Sequence, residues 1–237
     1  MEHEEEFYDK LEQTLNSNEA EESIYRKSSI FIKMVALIIL MSFISFIVTI
    51  YYCSFKDAPL LGLIDNSAYI HKTIDDNLSQ SVVRVRVVAK KKNSNIAIEQ
   101  KMGTGFNISQ NGLIVTNNHV ISDALNVLVE FPDGNVYKAT KWFSKPEYDL
   151  ALIELAAKEL PAVNLDKRGG PDEGEKVIII GNPLSLNNIA VEGTVLGYFQ
   201  FEEKVGHVFI IDAPIYPGNS GSPVYSQSGL VTGVVFG

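Results

Sequence analysis

Apolar residues are arranged in three different ways along this chain, and each arrangement predicts a different structure. Residues 1–27 are mostly polar and acidic, which predicts a solvated tail, with a short amphipathic helix as the alternative. Met34–Cys53 is an uncharged apolar run of twenty residues, which is the length that spans a bilayer core of about 30 Å. After Cys53 the apolar residues come in short runs separated by turn residues.

The long apolar run predicts one transmembrane helix within residues 28–53. Basic residues precede the run and two tyrosines lie at its far end, so the charge distribution predicts a cytoplasmic N-terminus and an extracytoplasmic remainder. The length of the run, and the absence of a small-residue cleavage site soon after it, favour an uncleaved signal anchor over a cleaved signal peptide. We therefore expect a single-pass protein of the cell membrane.

Residues 54–72 contain Pro, Gly and Asn residues and are predicted to be a linker. Their apolar stretch Leu60–Ile64 could dock on the membrane surface or on the following domain. Residues 73–78 predict a short helix with Thr73 as its N-cap.

Residues 73–237 are predicted to form one all-β domain, because β-branched runs alternate with Gly, Asn and Asp turn signals. The predicted strands are Val82–Ala89, Gly103–Ile108, Leu113–Thr116, Val127–Phe131, Val136–Phe143, Leu150–Leu155, Lys176–Ile180, Ile189–Phe199, Val208–Ile211, Val224–Ser226 and Leu230–Phe236. The polar stretch Lys167–Glu175 divides them into sets of six and five. This division predicts two antiparallel β-barrels, at about residues 80–166 and 175–237.

Composition narrows the functional classes. The net charge is −9 and no basic face is clustered, which argues against binding of nucleic acid. The short cluster Lys90–Lys92 reads as the solvated end of a hairpin. Cys53 is the only cysteine, so an intramolecular disulfide is impossible and the domain must be held by packing.

One loop could carry nucleophilic chemistry. Pro217 and Gly218 force a turn between two apolar runs, and Ser220 stands in that turn next to Gly221. An exposed serine beside unobstructed backbone N–H groups suits a nucleophile with an oxyanion hole, although an ordinary Gly/Ser hairpin loop is the plain alternative.

An activated serine also needs a base and a carboxylate that orients the base. His119 follows the apolar run that ends the predicted third strand, where an ordinary structural histidine is the alternative. Asp149 opens a strand that reads as buried, and a charge there is costly without a partner. His119 would be such a partner.

Four motifs in order carry a family resemblance: Gly103–Phe106, Asn111–Ile121, Tyr148–Ala151 and Asp212–Gly221. Together they resemble the HtrA/DegP branch of the chymotrypsin-fold serine proteases over roughly residues 73–237. The resemblance implies two barrels with the active site between them, an acyl-enzyme mechanism, and no metal or organic cofactor. The implied site residues are His119, Asp149 and Ser220 as the triad, Gly218 and Ser220 as the oxyanion hole, and Ile215, Val235, Phe236 and Gly237 for substrate binding.

The chain departs from the family pattern in two places. Ser222 and Pro223 follow Gly221 where the family more often has a second glycine, and the family continues past Gly237 with a strand that closes the second barrel and usually with a PDZ domain. We therefore expect an incomplete second barrel.

Three functional hypotheses follow. The first is a membrane-anchored extracytoplasmic endopeptidase acting on misfolded or regulatory envelope proteins, with an apolar residue of modest size at the cleavage site. The second is a non-catalytic peptide-binding or sensor module on the same fold, and the third is an envelope protein with an unrelated β-domain. HtrA-like enzymes are often trimers, so the resemblance leaves a homo-oligomer open.

Overall fold

A computed structural model describes residues 32–50, 59–91, 97–200 and 207–236. The chain divides into two units, Met1–Pro59 and Leu60–Gly237. The predicted acidic tail, residues 1–27, lies outside the described residues, as does the predicted substrate-binding residue Gly237.

The described part of the first unit is a single helix, α1, at Ile32–Ile50. Its 19 residues have a mean hydropathy of 2.4, and a rise of 1.5 Å per residue makes it about 28 Å long. By length and composition it could cross a membrane, either as an anchor or as part of a signal sequence.

The second unit begins with two helices, α2 at Pro59–His71 and α3 at Asp76–Gln80. The prediction of a linker over residues 54–72 is therefore wrong for the part that α2 occupies. Leu63, Ser67 and Ile70 recur at helical spacing and are all buried. The Ser67 hydroxyl accepts a hydrogen bond of 2.9 Å from the Ala190 N–H, which fixes α2 to the second sheet.

The predicted cap of the short helix is also wrong. The N-cap of α3 is Asp75, whose carboxylate accepts from the Asn77 N–H at 2.9 Å. Thr73 instead donates its hydroxyl to the carbonyl of Ile70 at 2.7 Å, in the last turn of α2.

The first six strands form a closed antiparallel barrel in the order β1-β2-β3-β6-β5-β4. The strands are β1 at Val82–Lys90, β2 at Ile98–Asn107, β3 at Leu113–Asn117, β4 at Ala124–Glu130, β5 at Val136–Lys145 and β6 at Leu150–Leu155. A one-turn helix, α4, spans Asn118–Ile121 between β3 and β4, and a 3-10 turn spans Pro146–Tyr148. Alternate residues of β1, from Val83 to Ala89, point into a barrel core that also contains Ile114, Val127 and Ile153.

The remaining strands form an open sheet in the order β11-β10-β7-β8-β9. They are β7 at Lys176–Gly181, β8 at Ile189–Gln200, β9 at His207–Asp212, β10 at Pro223–Tyr225 and β11 at Val231–Val234, with a 3-10 turn at Pro183–Ser185 before β8. Within the described residues β9 and β11 do not pair with each other, so this half of the molecule is a half-barrel. The ring of Phe209 lies against Gly233, where a Cβ would be 2.4 Å from the ring, so a side chain crosses the gap between the two edges.

The predicted fold class is confirmed: eleven strands form a closed barrel and an incomplete one. The strand ends differ most at β2 and β4, which begin at Ile98 and Ala124 rather than at Gly103 and Val127. The added residues pair with β1, but they include the polar residues Glu99, Gln100, Lys101 and Asn126 and so do not extend an apolar run.

Candidate active site

His119 is displayed by the short helix α4. The strand β3 is buried up to Asn117. The two residues that follow His119, Val120 and Ile121, pack into the barrel core. Because these neighbours fix the helix to the core, the His119 side chain is left 49 % exposed at the end of the barrel.

Asp149 lies directly before β6 in the left-handed region, with φ at 48°. Aspartate and asparagine are the non-glycine residues that tolerate this region best. Its carbonyl accepts from the Asn118 N–H at 3.0 Å and from the Asn117 side-chain amide at 2.9 Å. The start of β6 is thereby joined to the start of α4.

The Asp149 carboxylate holds His119 with both oxygens. Oδ1 accepts from the His119 backbone N–H at 2.9 Å, and Oδ2 is 2.6 Å from His119 Nδ1. An ionised carboxylate can only accept, so the proton between them belongs on Nδ1. This arrangement leaves Nε2 of the neutral ring as the nitrogen able to take up a proton.

The serine loop, Tyr216–Ser222, has its backbone fixed by hydrogen bonds at successive peptide groups. The carbonyl of Pro217 accepts from Leu184 N–H at 2.8 Å, and that of Asn219 accepts from Ser222 N–H at 2.9 Å. The Asn219 N–H donates to the Tyr216 carbonyl at 3.0 Å, and the Gly221 N–H donates to the Val235 carbonyl at 2.9 Å.

Between Gly218 and Ser222, two backbone N–H groups are left over. Those of Gly218 and Ser220 donate to no protein group in the described part of the chain. They are separated by the engaged N–H group of Asn219 and are available to a ligand, as the donors of an oxyanion hole must be.

The two glycines of the loop have steric roles. Gly218 has φ at +102°, and a Cβ there would lie 2.6 Å from the Asn182 carbonyl oxygen. Gly221 has φ at +86°, and a Cβ there would lie 2.0 Å from the Thr104 carbonyl oxygen. Both positions therefore require glycine for backbone conformation and for space.

The loop is attached to the barrel beside α4. The Ser220 carbonyl accepts from the Thr104 N–H at 2.9 Å. Gly103 contacts both this carbonyl and the side chain of Val120, the residue after His119. The serine backbone and the histidine helix thus meet at Gly103, although within the described residues no hydrogen bond joins the Ser220 hydroxyl to the His119 ring.

A comparison with protein families matches residues 103–234 to the trypsin-like peptidase domain. The match runs from within β2 to the end of β11 and covers more than half of the chain. The chain belongs to the trypsin-like peptidase family. The predicted membership is thereby confirmed, and an unrelated β-domain, the third hypothesis, is excluded.

The relatives that resemble this trypsin-like peptidase include proteins named as DegP-like serine endoproteases. The chain is 37 % identical over 137 residues to a DegP-like periplasmic serine endoprotease of Pseudomonas fluorescens, a match that covers 57 % of this chain and 29 % of the relative. A DegP-like relative from Chlamydia pneumoniae is 36 % identical over 143 residues, with 57 % of this chain and 28 % of the relative covered. The chain thus spans about three tenths of the length of the curated relatives it matches.

Solved structures of proteases also resemble this chain. The HtrA-type protease AlgW with a tripeptide has a TM-score of 0.58 and 27 % identity, covering 67 % of this chain and 52 % of that one. A protease of M. tuberculosis in its active form has a TM-score of 0.61 at 27 % identity, covering 73 % of this chain and 74 % of that one.

The residues predicted for substrate binding lie at the rim of the half-barrel. Ile215 and Phe236 are exposed, and Val235 is tied to the serine loop through its own carbonyl and its N–H bond to Ser222. A cavity of about 500 Å³ lies between Asp149, the edge strands β9 and β11, and Phe236. Ile215 is not among the residues that line this cavity.

Three buried polar residues of this trypsin-like peptidase were missed from the sequence. The Thr104 hydroxyl donates to the Gly218 carbonyl of the serine loop. The other two residues bond Thr104 itself: the Thr116 hydroxyl donates to the Thr104 carbonyl, and the Asn182 backbone N–H donates to the Thr104 hydroxyl. One signal was present in the sequence: Thr104 lies between Gly103 and Gly105, in a motif of the family resemblance. The resemblance assigned no role to this threonine. Among the described residues, no group of three or more His, Cys, Asp or Glu side chains is placed to hold a metal ion.

Proposed function

We propose that this chain is a serine endopeptidase that cleaves polypeptides with Ser220 as nucleophile, His119 as base and acid, and Asp149 as the residue that orients His119. The observation that carries the proposal is the two-oxygen hold of Asp149 on His119 beside a loop with two unengaged N–H groups. The names of the relatives, serine endoproteases, support the same reaction class.

In the first half of the reaction, His119 Nε2 takes the proton of the Ser220 hydroxyl while the Ser220 oxygen attacks the scissile carbonyl. The N–H groups of Gly218 and Ser220 stabilise the negative charge on the carbonyl oxygen. His119 then gives the proton to the leaving amine. Water repeats the sequence on the acyl-enzyme and frees Ser220.

Asp149 has two tasks in this scheme. It holds the ring in the tautomer that leaves Nε2 free, and its negative charge stabilises the imidazolium that forms. The hydrogen bond from Ser220 to His119 has to form on substrate binding, as catalytic hydrogen bonds often tighten only in the complex.

Membrane attachment is part of the proposal. The apolar helix α1 precedes the peptidase domain, and the basic residues near its start favour a cytoplasmic N-terminus. The peptidase domain would then work outside the cytoplasm, which agrees with the periplasmic naming of the relatives. Misfolded or regulatory envelope proteins are the substrates we propose.

The cleavage preference follows from the rim residues. Ile215 and Phe236 are apolar and exposed beside the serine loop, which favours an apolar residue of modest size at the cleavage site. The solved AlgW complex contains a tripeptide, which supports a peptide as the ligand class.

A peptide-binding or sensor module is the second candidate. It is favoured by the open half-barrel and by the Ser220 hydroxyl, which makes no hydrogen bond to His119 in the described residues. In this case peptides bind at the rim and are not cleaved.

Labelling by a fluorophosphonate separates the two candidates. The purified full chain in detergent is treated with the probe, and the modified residue is identified by mass spectrometry. A peptidase gives a phosphonylated Ser220, and Ser220→Ala abolishes this label. An unlabelled chain that still binds a fluorescent peptide, equally well with Ser220→Ala, would instead support the binding module.

A further inference from the structure

Thr104 occupies the point where the barrel meets the serine loop. It lies on β2 between two glycines and has no solvent exposure. Each of its polar groups is engaged: the N–H, the carbonyl and the hydroxyl all take part in hydrogen bonds of 2.7 to 2.9 Å.

The direction of the hydroxyl bonds is fixed by chemistry. Thr104 Oγ1 lies 2.7 Å from the Gly218 carbonyl oxygen and 2.9 Å from the Asn182 backbone nitrogen. A carbonyl can only accept and an amide N–H can only donate. The single hydroxyl proton therefore points to Gly218, while the Asn182 N–H donates to the hydroxyl oxygen.

The backbone of Thr104 holds the other end of the same segment. Its N–H donates to the Ser220 carbonyl at 2.9 Å, and its own carbonyl accepts from the Thr116 hydroxyl at 2.7 Å. Thr104 thus binds the carbonyls of Gly218 and Ser220, whose own N–H groups are unengaged.

We propose that Thr104 is a positioning residue that sets the oxyanion-hole conformation of the serine loop through its hydroxyl, an inference that rests on the proposed function. The physical reason lies at Gly218, which has φ at +102° and no side chain to restrict it. With the carbonyl held by Thr104 and the following N–H held by Tyr216, the peptide group after Gly218 keeps one orientation.

Loss of the Thr104 hydroxyl removes the hydrogen bond that holds the peptide group after Gly218 in one orientation. The Gly218 carbonyl is then free to rotate, and the buried Asn182 N–H loses its acceptor, so other loop conformations become accessible. The His119–Asp149 pair lies on other elements and keeps its hydrogen bonds. The consequence is a site with an intact base and a poorly formed oxyanion hole.

The test compares the second-order rate of Ser220 phosphonylation in four chains: the parent, Thr104→Val, Thr104→Ser and Thr116→Val. A fluorophosphonate is suitable because its phosphoryl oxygen takes the place of the oxyanion, so no natural substrate is needed. We expect Thr104→Val to lower the rate by about 10- to 100-fold, less than the roughly 10²–10³-fold effect of deleting an oxyanion donor itself. Thr104→Ser, which keeps the hydroxyl, should stay within about threefold of the parent.

Thr116→Val is the matched control for stability. It removes a buried hydroxyl bond of the same 2.7 Å length that reaches only the Thr104 carbonyl. We expect it to lower the melting temperature as much as Thr104→Val does, with a rate within a few-fold of the parent. The pH midpoint of labelling should be unchanged in Thr104→Val, because His119 and Asp149 are untouched.

The inference is overturned if Thr104→Val is labelled as fast as the parent, if Thr116→Val is slowed equally, or if Thr104→Ser fails to restore the rate. Thr104→Cys, whose thiol is a weak donor, should give an intermediate rate and serves if Thr104→Val does not fold. A parent chain that is not labelled at Ser220 overturns the proposed function, and this role with it.

Discussion

The two halves of the peptidase domain are built from similar β-branched strands but reach stability differently. The first half closes on itself, because β1 pairs with both β2 and β4. The second half ends at β9 and β11, each of which pairs with only one other strand in the described residues, although Val231 of β11 also forms a single bridge to Leu165. Closure removes the exposed edges that an open sheet retains.

The two halves also differ in which elements supply their hydrophobic cores. The barrel core is lined by the barrel's own residues together with α4 and the turn after β6. The open sheet instead buries its two faces with outside help: Leu63 and Ile70 come from α2, and Val82, Phe106 and Val115 come from the barrel. The sheet that carries Ser220 therefore depends on neighbouring elements, whereas the barrel that carries His119 and Asp149 does not.

The largest expected effect comes from removing the Asp149 carboxylate, which the barrel contributes to the site, without unfolding the barrel. Asp149→Asn retains the shape and the tolerance of φ at 48°, but it cannot hold the Nδ1–H tautomer. We expect the rate of Ser220 phosphonylation to fall by about 10⁴-fold with little change in melting temperature. A loss of under tenfold would show that His119 does not depend on Asp149.

The next effect tests the dependence of the open sheet on α2. Ile70 is 4 % exposed in the core that the sheet shares with the barrel, so Ile70→Ala should cost about 2–5 kcal/mol of stability. By hydrogen exchange we expect faster exchange in β7, β8 and β10 and preserved protection in β1 and β4. Ile153→Ala, inside the barrel, is the control, and similar exchange patterns in both variants would contradict the comparison.

A smaller effect is expected at the gap between the sheet edges. Gly233→Ala places a Cβ 2.4 Å from the ring of Phe209, so the ring must move, at a cost of about 1–3 kcal/mol. Phe209→Leu should relieve part of this cost when the two are combined, and urea unfolding of the two single variants and the double variant measures the coupling. Additive costs would mean that Phe209 does not bridge the edges.

The smallest effect concerns the connection between the halves. The side-chain hydrogen bond from Arg168 holds the pKa of Asp166 below its usual range, and the Asp166 N–H donates to the Val231 carbonyl on β11. A lowered pKa stabilises the fold above the unfolded value of about 3.9, and the contribution disappears as pH falls through the folded value. Melting temperatures of the parent and Asp166→Asn should therefore differ slightly at pH 7 and converge below about pH 4.

Much of the fold could be predicted because β-branched runs and turn residues mark a sheet protein directly. Each predicted strand corresponds to one of the eleven strands among the described residues, and the expected incomplete second barrel is seen there as the open edges β9 and β11. The helix α2 was missed because its buried stripe includes Ser67, a polar residue that interrupts the apolar period. Its burial is explained only by the Ala190 N–H, a contact distant in sequence.

The residues of the site also divide into those that the sequence predicts and those that it does not. His119, Asp149 and Ser220 stand out because each carries a reactive group at the end of an apolar run. Thr104 and Asn182 do not, because their roles depend on hydrogen bonds between segments almost eighty residues apart. Such partners are set by tertiary geometry, and nothing in the local pattern of a buried threonine distinguishes a structural hydroxyl from one that positions a loop.

The left-handed backbone at Asp149 has an evolutionary consequence. Few side chains fit φ at 48°, and the one that best preserves the shape, asparagine, removes the charge. Aspartate and asparagine codons differ by a single base. Under the proposed mechanism, a single base change at this codon would therefore leave a folded chain whose Ser220 is about 10⁴-fold less reactive, and the reverse step is equally short.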